Sequence, residues 1–214
     1  MKIEKQLQQF GSAPFHRSSL TSVLGGYRSV NDKIARLIAE GALVPLRKGV
    51  YVLGASLQQH PLCLPLVANV LYGPSCVSLE YAMAWHGLIP EGVFTVTSVT
   101  SRRAKTYDTP TGRYTYQHLP SELLMVGARL QPLPEGHGHF LLAGPTKALC
   151  DKMLLTRRLR LSSRSAMEAF LEEDLRLDRT ALNHPEMDVL AQYLEAGHKV
   201  ALLRLLKDVL AGWS

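Results

Sequence analysis

The sequence predicts an α+β fold in two parts, and three observations carry that expectation. Of 214 residues, 46% are hydrophobic and 20% charged, the balance of a folded chain with a sizeable core. Residues 1–54 show three helical stripes and then a hairpin within a short span. From residue 55 onward, β-branched and aromatic runs are interspersed with helical ones, and residues 165–214 read as helices only. The expected fold is therefore an N-terminal helical unit closed by a hairpin at 1–54, then a mixed α/β domain with a helical C-terminal tail at 55–214.

The first helix falls within residues 2–10, with Ile3, Leu7 and Phe10 on one side. A second spans residues 16–24, places Leu20, Val23 and Leu24 together, and is closed by Gly25-Gly26. The third is the clearest, because Val30, Ile34, Leu37 and Ile38 fall at i, i+4, i+7 and i+8. Ser29 is its N-cap, Asp32 supplies a near-capping box, and Gly41 stands where a C′ residue ends a helix. Leu43-Val44-Pro45-Leu46 and Val50-Tyr51-Val52-Leu53 then pair around a basic tip, Arg47-Lys48-Gly49. A helix-turn-helix followed at once by a hairpin reads as a winged helix-turn-helix, a module that places its third helix in a DNA major groove.

The charge supports that reading. Residues 1–54 carry eight Lys/Arg against three acids, a balance of +5, whereas the whole chain has only +6. Opposite the apolar stripe, the third helix presents Arg28, Asp32, Ala35, Arg36 and Ala39, with Asn31 and Lys33 on the flanks. Small alanines let a helix sit deep, and Arg and Asn reach base edges. Arg17, Arg47 and Lys48 are the expected phosphate contacts. Two other features fit a solvated helix instead: Arg28–Asp32 and Asp32–Arg36 are both i,i+4 pairs. Winged helices also serve as protein-interaction modules.

In the second part, residues 78–85 read as a helix stopped by Gly87 and Pro90, and residues 93–99 as a strand. Residues 113–119 alternate as a half-buried strand, and residues 100–112 between the two read as a polar loop. Residues 139–143 form a further strand, and Gly144-Pro145 starts a helix extending to Leu159. Helices over 165–175, 186–196 and 199–210 complete the chain.

The order of these features resembles the AbiEi antitoxin family of type IV toxin–antitoxin systems. Leu46-Arg47-Lys48-Gly49-Val50-Tyr51 is similar to its "RxGVY" wing, and residues 78–90, SLEYAMAWHGLIP, to its "S-x-x-x-A-x-x-x-H-G-L" segment. Thr100-Ser101-Arg102-Arg103, Thr109-Pro110-Thr111-Gly112 and the strand after them follow in the family's order. Pro145-Thr146-Lys147-Ala148-Leu149-Cys150-Asp151 resembles its "P-E-K-A-L-x-D" helix start, with Thr146 in place of the usual Glu. The resemblance covers about residues 5–160. It implies a winged-helix repressor of its own operon, bound to double-stranded operator DNA with inverted repeats. It further implies a second domain that counteracts an AbiEii-like nucleotidyltransferase toxin, with no obligatory stable complex between the two; the alternative is a stand-alone regulator without a toxin partner.

Other chemistries find little in the sequence. Three cysteines, Cys63, Cys76 and Cys150, are too few and too scattered for a disulfide framework or a clustered metal site, which points to a reducing cytoplasm. His137-Gly138-His139 offers two imidazoles without a third ligand, so no metal or other cofactor is expected. His86 reads as a helix cap or packing residue, and Lys147–Asp151 as an i,i+4 pair of local structural role. No phosphate loop, G-x-S-x-G, GxGxxG or H-E-x-x-H occurs, so no catalytic residue is assigned and the chain is not expected to be an enzyme. MKIEKQLQQF lacks the apolar region of a signal peptide. Residues 55–79 carry no charge but are broken by Pro61, Pro65, Gly73 and Pro74, so no membrane association is expected.

A second basic run lies at residues 147–164, with six Lys/Arg and one acid. Lys147, Lys152, Arg157, Arg158, Arg160 and Arg164 fall on the expected helix and the loop after it. With Arg102, Arg103 and Lys105 they form a candidate second surface facing nucleic acid or the toxin. The alternative is a solvated face that offsets the acidic tail at residues 172–178.

Overall fold

The computed structural model describes residues 3–133, 138–182 and 184–213. The first part begins with α1 (Ile3–Leu7), extended by one 3-10 turn to Phe10. There follow the two-residue strand β1 (Phe15–His16), α2 (Arg17–Val23) and α3 (Val30–Ala39). Ser29 caps α3 as its sequence demands, its hydroxyl accepting from the Asp32 N–H at 3.4 Å. Gly41 follows the helix at φ +70°, a left-handed position that costs glycine nothing. Strands β2 (Leu43–Arg47) and β3 (Val50–Leu53) form the hairpin, and β1 pairs with β3 to give a three-stranded sheet of order β1-β3-β2.

The second part contains α4 (Leu64–Leu71), β4 (Ser75–Val77), α5 (Leu79–Trp85), β5 (Val96–Thr100), β6 (Lys105–Thr109) and β7 (Gly112–His118). Next come β8 (Ala128–Pro132), β9 (His139–Ala143), α6 (Pro145–Leu155) and α7 (Arg164–Ala169), which runs on into a π-turn to Asp174. Helices α8 (Met187–Glu195) and α9 (Val200–Ala211) close the chain. Among the described residues of this second part, six strands form one mixed sheet, β6-β7-β5-β4-β9-β8, in which β5–β7 and β4–β9 are parallel. Asn69 of α4 ties this sheet together: its Oδ1 accepts from the Leu141 N–H at 2.6 Å, and its amide donates toward Ser75 and Leu141 carbonyls.

Two hydrophobic cores meet at the hairpin. The smaller contains Leu7, Phe15, Leu20, Leu24, Ile34, Leu37, Leu43, Tyr51 and Leu53. The larger fills the second part but also takes in Leu46, Val50 and Val52. Side chains along a strand alternate between faces, so β3 sends Tyr51 and Leu53 into one core and Val50 and Val52 into the other. All four residues of β3 are buried for that reason. The hairpin is a wall shared by the two parts rather than a finger standing free of them.

Four sequence expectations change. The strand expected at 93–99 is displaced to β5, and Phe94 is left 92% exposed because the chain has not yet joined the sheet there. The loop expected at 100–112 contains β6, which pairs antiparallel with β7 from Lys105↔Tyr116 to Thr109↔Gly112. As an edge strand it buries little, so its polar composition hides it. The helix expected to reach Leu159 ends at Leu155, and Arg158 follows at φ +56°. Residues 55–79 are not merely a broken core segment: α4 and β4 both form there.

Candidate nucleic-acid interface

The exposed side of α3 is polar and nearly continuous. Asn31, Asp32, Ala35, Arg36 and Ala39 are exposed, while Ile34 and Leu37 face the smaller core. Arg28 is exposed just before the helix, and Lys33 lies 5.3 Å from the centre of the Tyr27 ring, a cation–π distance. Arg17 opens α2, and its backbone N–H donates to the Gly49 carbonyl at 2.9 Å. The hairpin tip, the start of α2 and the exposed face of α3 are therefore neighbours. Lys48 is exposed at that tip.

Several cations there already have partners. Arg36 does not turn back to Asp32; its Nε donates to Glu40 Oε1 at 2.7 Å, with the Arg36 side chain mostly in solvent and that of Glu40 about half. That hydrogen bond raises the Arg36 pKa and lowers that of Glu40. The pair is Arg-before-Glu at the helix C-terminus, the orientation that the macrodipole disfavours. Arg17 donates from its guanidinium to Asn31 Oδ1, linking α2 to α3.

Arg47, expected to hold phosphate from the wing, has one donor engaged within the fold: its Nε donates to the Leu71 carbonyl at 2.7 Å, at the C-terminal end of α4. A guanidinium at that end satisfies a carbonyl the helix cannot and opposes the helix dipole. Tyr116 Oη donates to the Ala68 carbonyl at 2.7 Å in the same last turn. The Arg47 Nε thus joins the two parts, while Lys48 is exposed at the tip.

The second basic set is divided by the fold. Arg102, Arg103 and Lys105 are exposed around the start of β6, with Arg102 and Lys105 5.9 and 5.8 Å from the Tyr72 ring centre. Lys105 and Arg157 line one groove of about 630 Å³ with His118 and Gln117. Arg160 borders a different groove beside Lys199, and Arg158 is exposed in the loop. Lys152 is bound to Glu80 at 2.5 Å, and Arg164 to Glu168 at 3.0 Å.

Lys147 is not on a surface at all. Lys147 and Asp151 are both 0% exposed and 3.2 Å apart. Lys147 Nζ also donates to the Leu123 carbonyl at 3.0 Å and to Tyr193 Oη at 2.8 Å. Asp151 accepts from Tyr193 Oη at 2.5 Å and from Ser78 Oγ at 2.6 Å. Burial pushes the Tyr193 phenol above its ordinary range, so it stays a neutral donor. The expected i,i+4 pair exists, but its role is to join α5, α6, α8 and the turn at Leu123. Sequence reasoning missed this because Ser78, Leu123 and Tyr193 are remote in the chain.

The remaining candidate chemistry is quickly placed. His86 Nε2 lies 2.8 Å from the Ala143 carbonyl, and burial lowers its pKa, as befits the packing residue expected. Burial raises the thiols of Cys76, to about 12, and of Cys150, so neither is a thiolate at neutral pH. His137, half of the weighed His137–His139 pair, lies outside the described residues. Among the described residues no group of three or more His, Cys, Asp or Glu is placed to hold a metal ion, and no helix is long and apolar enough to cross a membrane. Compared with models of known protein families and with curated proteins, the chain matches none.

Proposed function

We propose that the chain is a DNA-binding transcriptional repressor whose residues 1–54 act as a winged helix-turn-helix, with α3 as the recognition helix. The observation that carries this reading is the arrangement itself: helix, short strand, two helices and a hairpin around a β1-β3-β2 sheet, with the polar side of α3 exposed. Arg17, Arg28, Lys33, Arg36 and Lys48 surround that side, giving DNA phosphates cations to meet. Operator DNA with inverted repeats is the proposed partner. The proposal includes no catalytic step or cofactor, and a repressor of this kind works in the cytoplasm.

The second half of the proposal, antitoxin action against a nucleotidyltransferase toxin, rests on the motifs of residues 78–90 and 145–151. Co-expression with a nucleotidyltransferase encoded beside this chain tests it: restored growth supports the role, and unrelieved toxicity removes it.

A mobility-shift titration with the DNA upstream of the chain's own reading frame tests the repressor reading. Binding should weaken with salt, by about 0.9 log units per log unit of salt for each phosphate neutralised. Unchanged mobility at low salt would overturn it. A protein-interaction module is the second reading, favoured by the pairing of Arg36 with Glu40 and Arg17 with Asn31. It stands if DNA is not bound.

A further inference from the structure

Asn31 occupies the first turn of α3, exposed, and its side-chain orientation is set by a neighbour. Its Oδ1 accepts from the Arg17 guanidinium. A guanidinium has donors and no acceptor, so the amide atom facing it must be the oxygen. The Nδ2 hydrogens then point away from Arg17. Arg17 is itself well placed to do this, because its backbone N–H is bound to Gly49 at 2.9 Å and its carbonyl accepts from Thr21 Oγ1 at 3.0 Å.

We propose that Arg17 is a positioning residue that turns the Asn31 amide so that its Nδ2 donors lead, and α3 favours a base edge offering acceptors. The inference rests on the DNA-binding reading above. A free asparagine reads adenine with both amide atoms, accepting from N6–H and donating to N7. With Oδ1 turned toward the Arg17 guanidinium and one of its two lone pairs taken, the adenine N6–H group meets only a weakened acceptor beside a cation. Guanine, with O6 and N7, and thymine, with O4, suit the remaining N–H donors. Cytosine presents N4–H donors and is rejected. The charge of Arg17 can still attract phosphate, but its distinctive effect is on sequence.

Selection from a randomised 20-base-pair duplex library, followed by titration of single-base variants of the winner, provides the test. Asn31→Ala identifies the position read by Asn31, as the one whose preference it erases. Wild type should hold guanine or thymine there. Arg17→Met removes the donors and should turn that position toward adenine by about fivefold or more, the scale of one bidentate base contact. Arg17→Lys restores a donor-only partner and should restore the wild-type preference. If Arg17→Met weakens all sequences equally and leaves that position unchanged, the positioning role is overturned while DNA binding stands. If Asn31→Ala erases no preference, the role is likewise overturned. If wild type selects no sequence, the DNA-binding reading fails and this inference falls with it.

Discussion

Removing the charge of Asp151 should do more damage than removing any surface ion pair in the protein. Asp151 and Lys147 are both fully buried, so Asp151→Asn leaves an ammonium in the interior with no counter-charge. Lys147 keeps the Leu123 carbonyl at 3.0 Å and Tyr193 Oη at 2.8 Å, which soften the loss without cancelling the charge. Breaking one partner of a buried pair costs about 3–5 kcal/mol. For a chain of this size that corresponds to a fall in Tm of about 6–20 °C. Urea denaturation of wild type, Asp151→Asn, Asp151→Leu, Lys147→Met and the Asp151→Leu/Lys147→Met double variant measures the cost and the coupling. The double variant should be more stable than the sum of the single losses predicts, by about 1 kcal/mol or more, because neither charge is then left alone. Additive losses, or an Asp151→Asn variant as stable as wild type, would refute the reasoning.

Four further outcomes are expected. Arg47→Met should cost about 1–3 kcal/mol in urea denaturation, by orphaning the Leu71 carbonyl, and leave the salt slope of DNA binding unchanged; Lys48→Gln should leave stability unchanged and reduce that slope by about one. Glu40→Ala should free Arg36 and tighten binding to duplex DNA in an anisotropy titration, with a steeper salt slope. His86 has its pKa lowered from 6.5 by burial, so the unfolded chain binds more protons just below that pH. Stability should therefore be full above about pH 6.5, decline as pH falls through it, and level off below the folded value, a dependence that His86→Gln removes on comparing melts across pH. A Cβ on Gly54 would lie 1.7 Å from the Gly41 carbonyl oxygen, so Gly54→Ala should lower stability by about 3 kcal/mol in the same denaturation series.

Much of the fold is legible where the signal is local. The third helix follows from its apolar spacing, its Ser29 cap and Gly41, and β2–β3 from two apolar runs around a glycine tip. The strand β9 and the start of α6 at Pro145 follow from equally short signals. The edge strand β6 is not legible, because Lys105-Thr106-Tyr107-Asp108-Thr109 reads as polar loop until β7 lies beside it. Nor is the helix end at Leu155, since Arg157 to Leu161 continue a plausible helical composition.

The candidate interface divides in the same way. Composition and helical phase alone determine that Asp32 and Arg36 share the side of α3 opposite Ile34 and Leu37, with Asn31 on its flank. Only the tertiary structure decides what each cation does. Arg47 and Lys48 are adjacent in sequence and equally basic, yet Arg47 caps α4 and Lys48 projects from the tip. Lys147 reads as part of a basic helix and turns out to be among its most deeply buried residues. Helical phase and turn chemistry depend on neighbours within a few residues, which a sequence displays. The role of a charged side chain depends on the carbonyl or carboxylate that folding brings beside it, from 24 residues away for Arg47 and 46 for Lys147 and Tyr193.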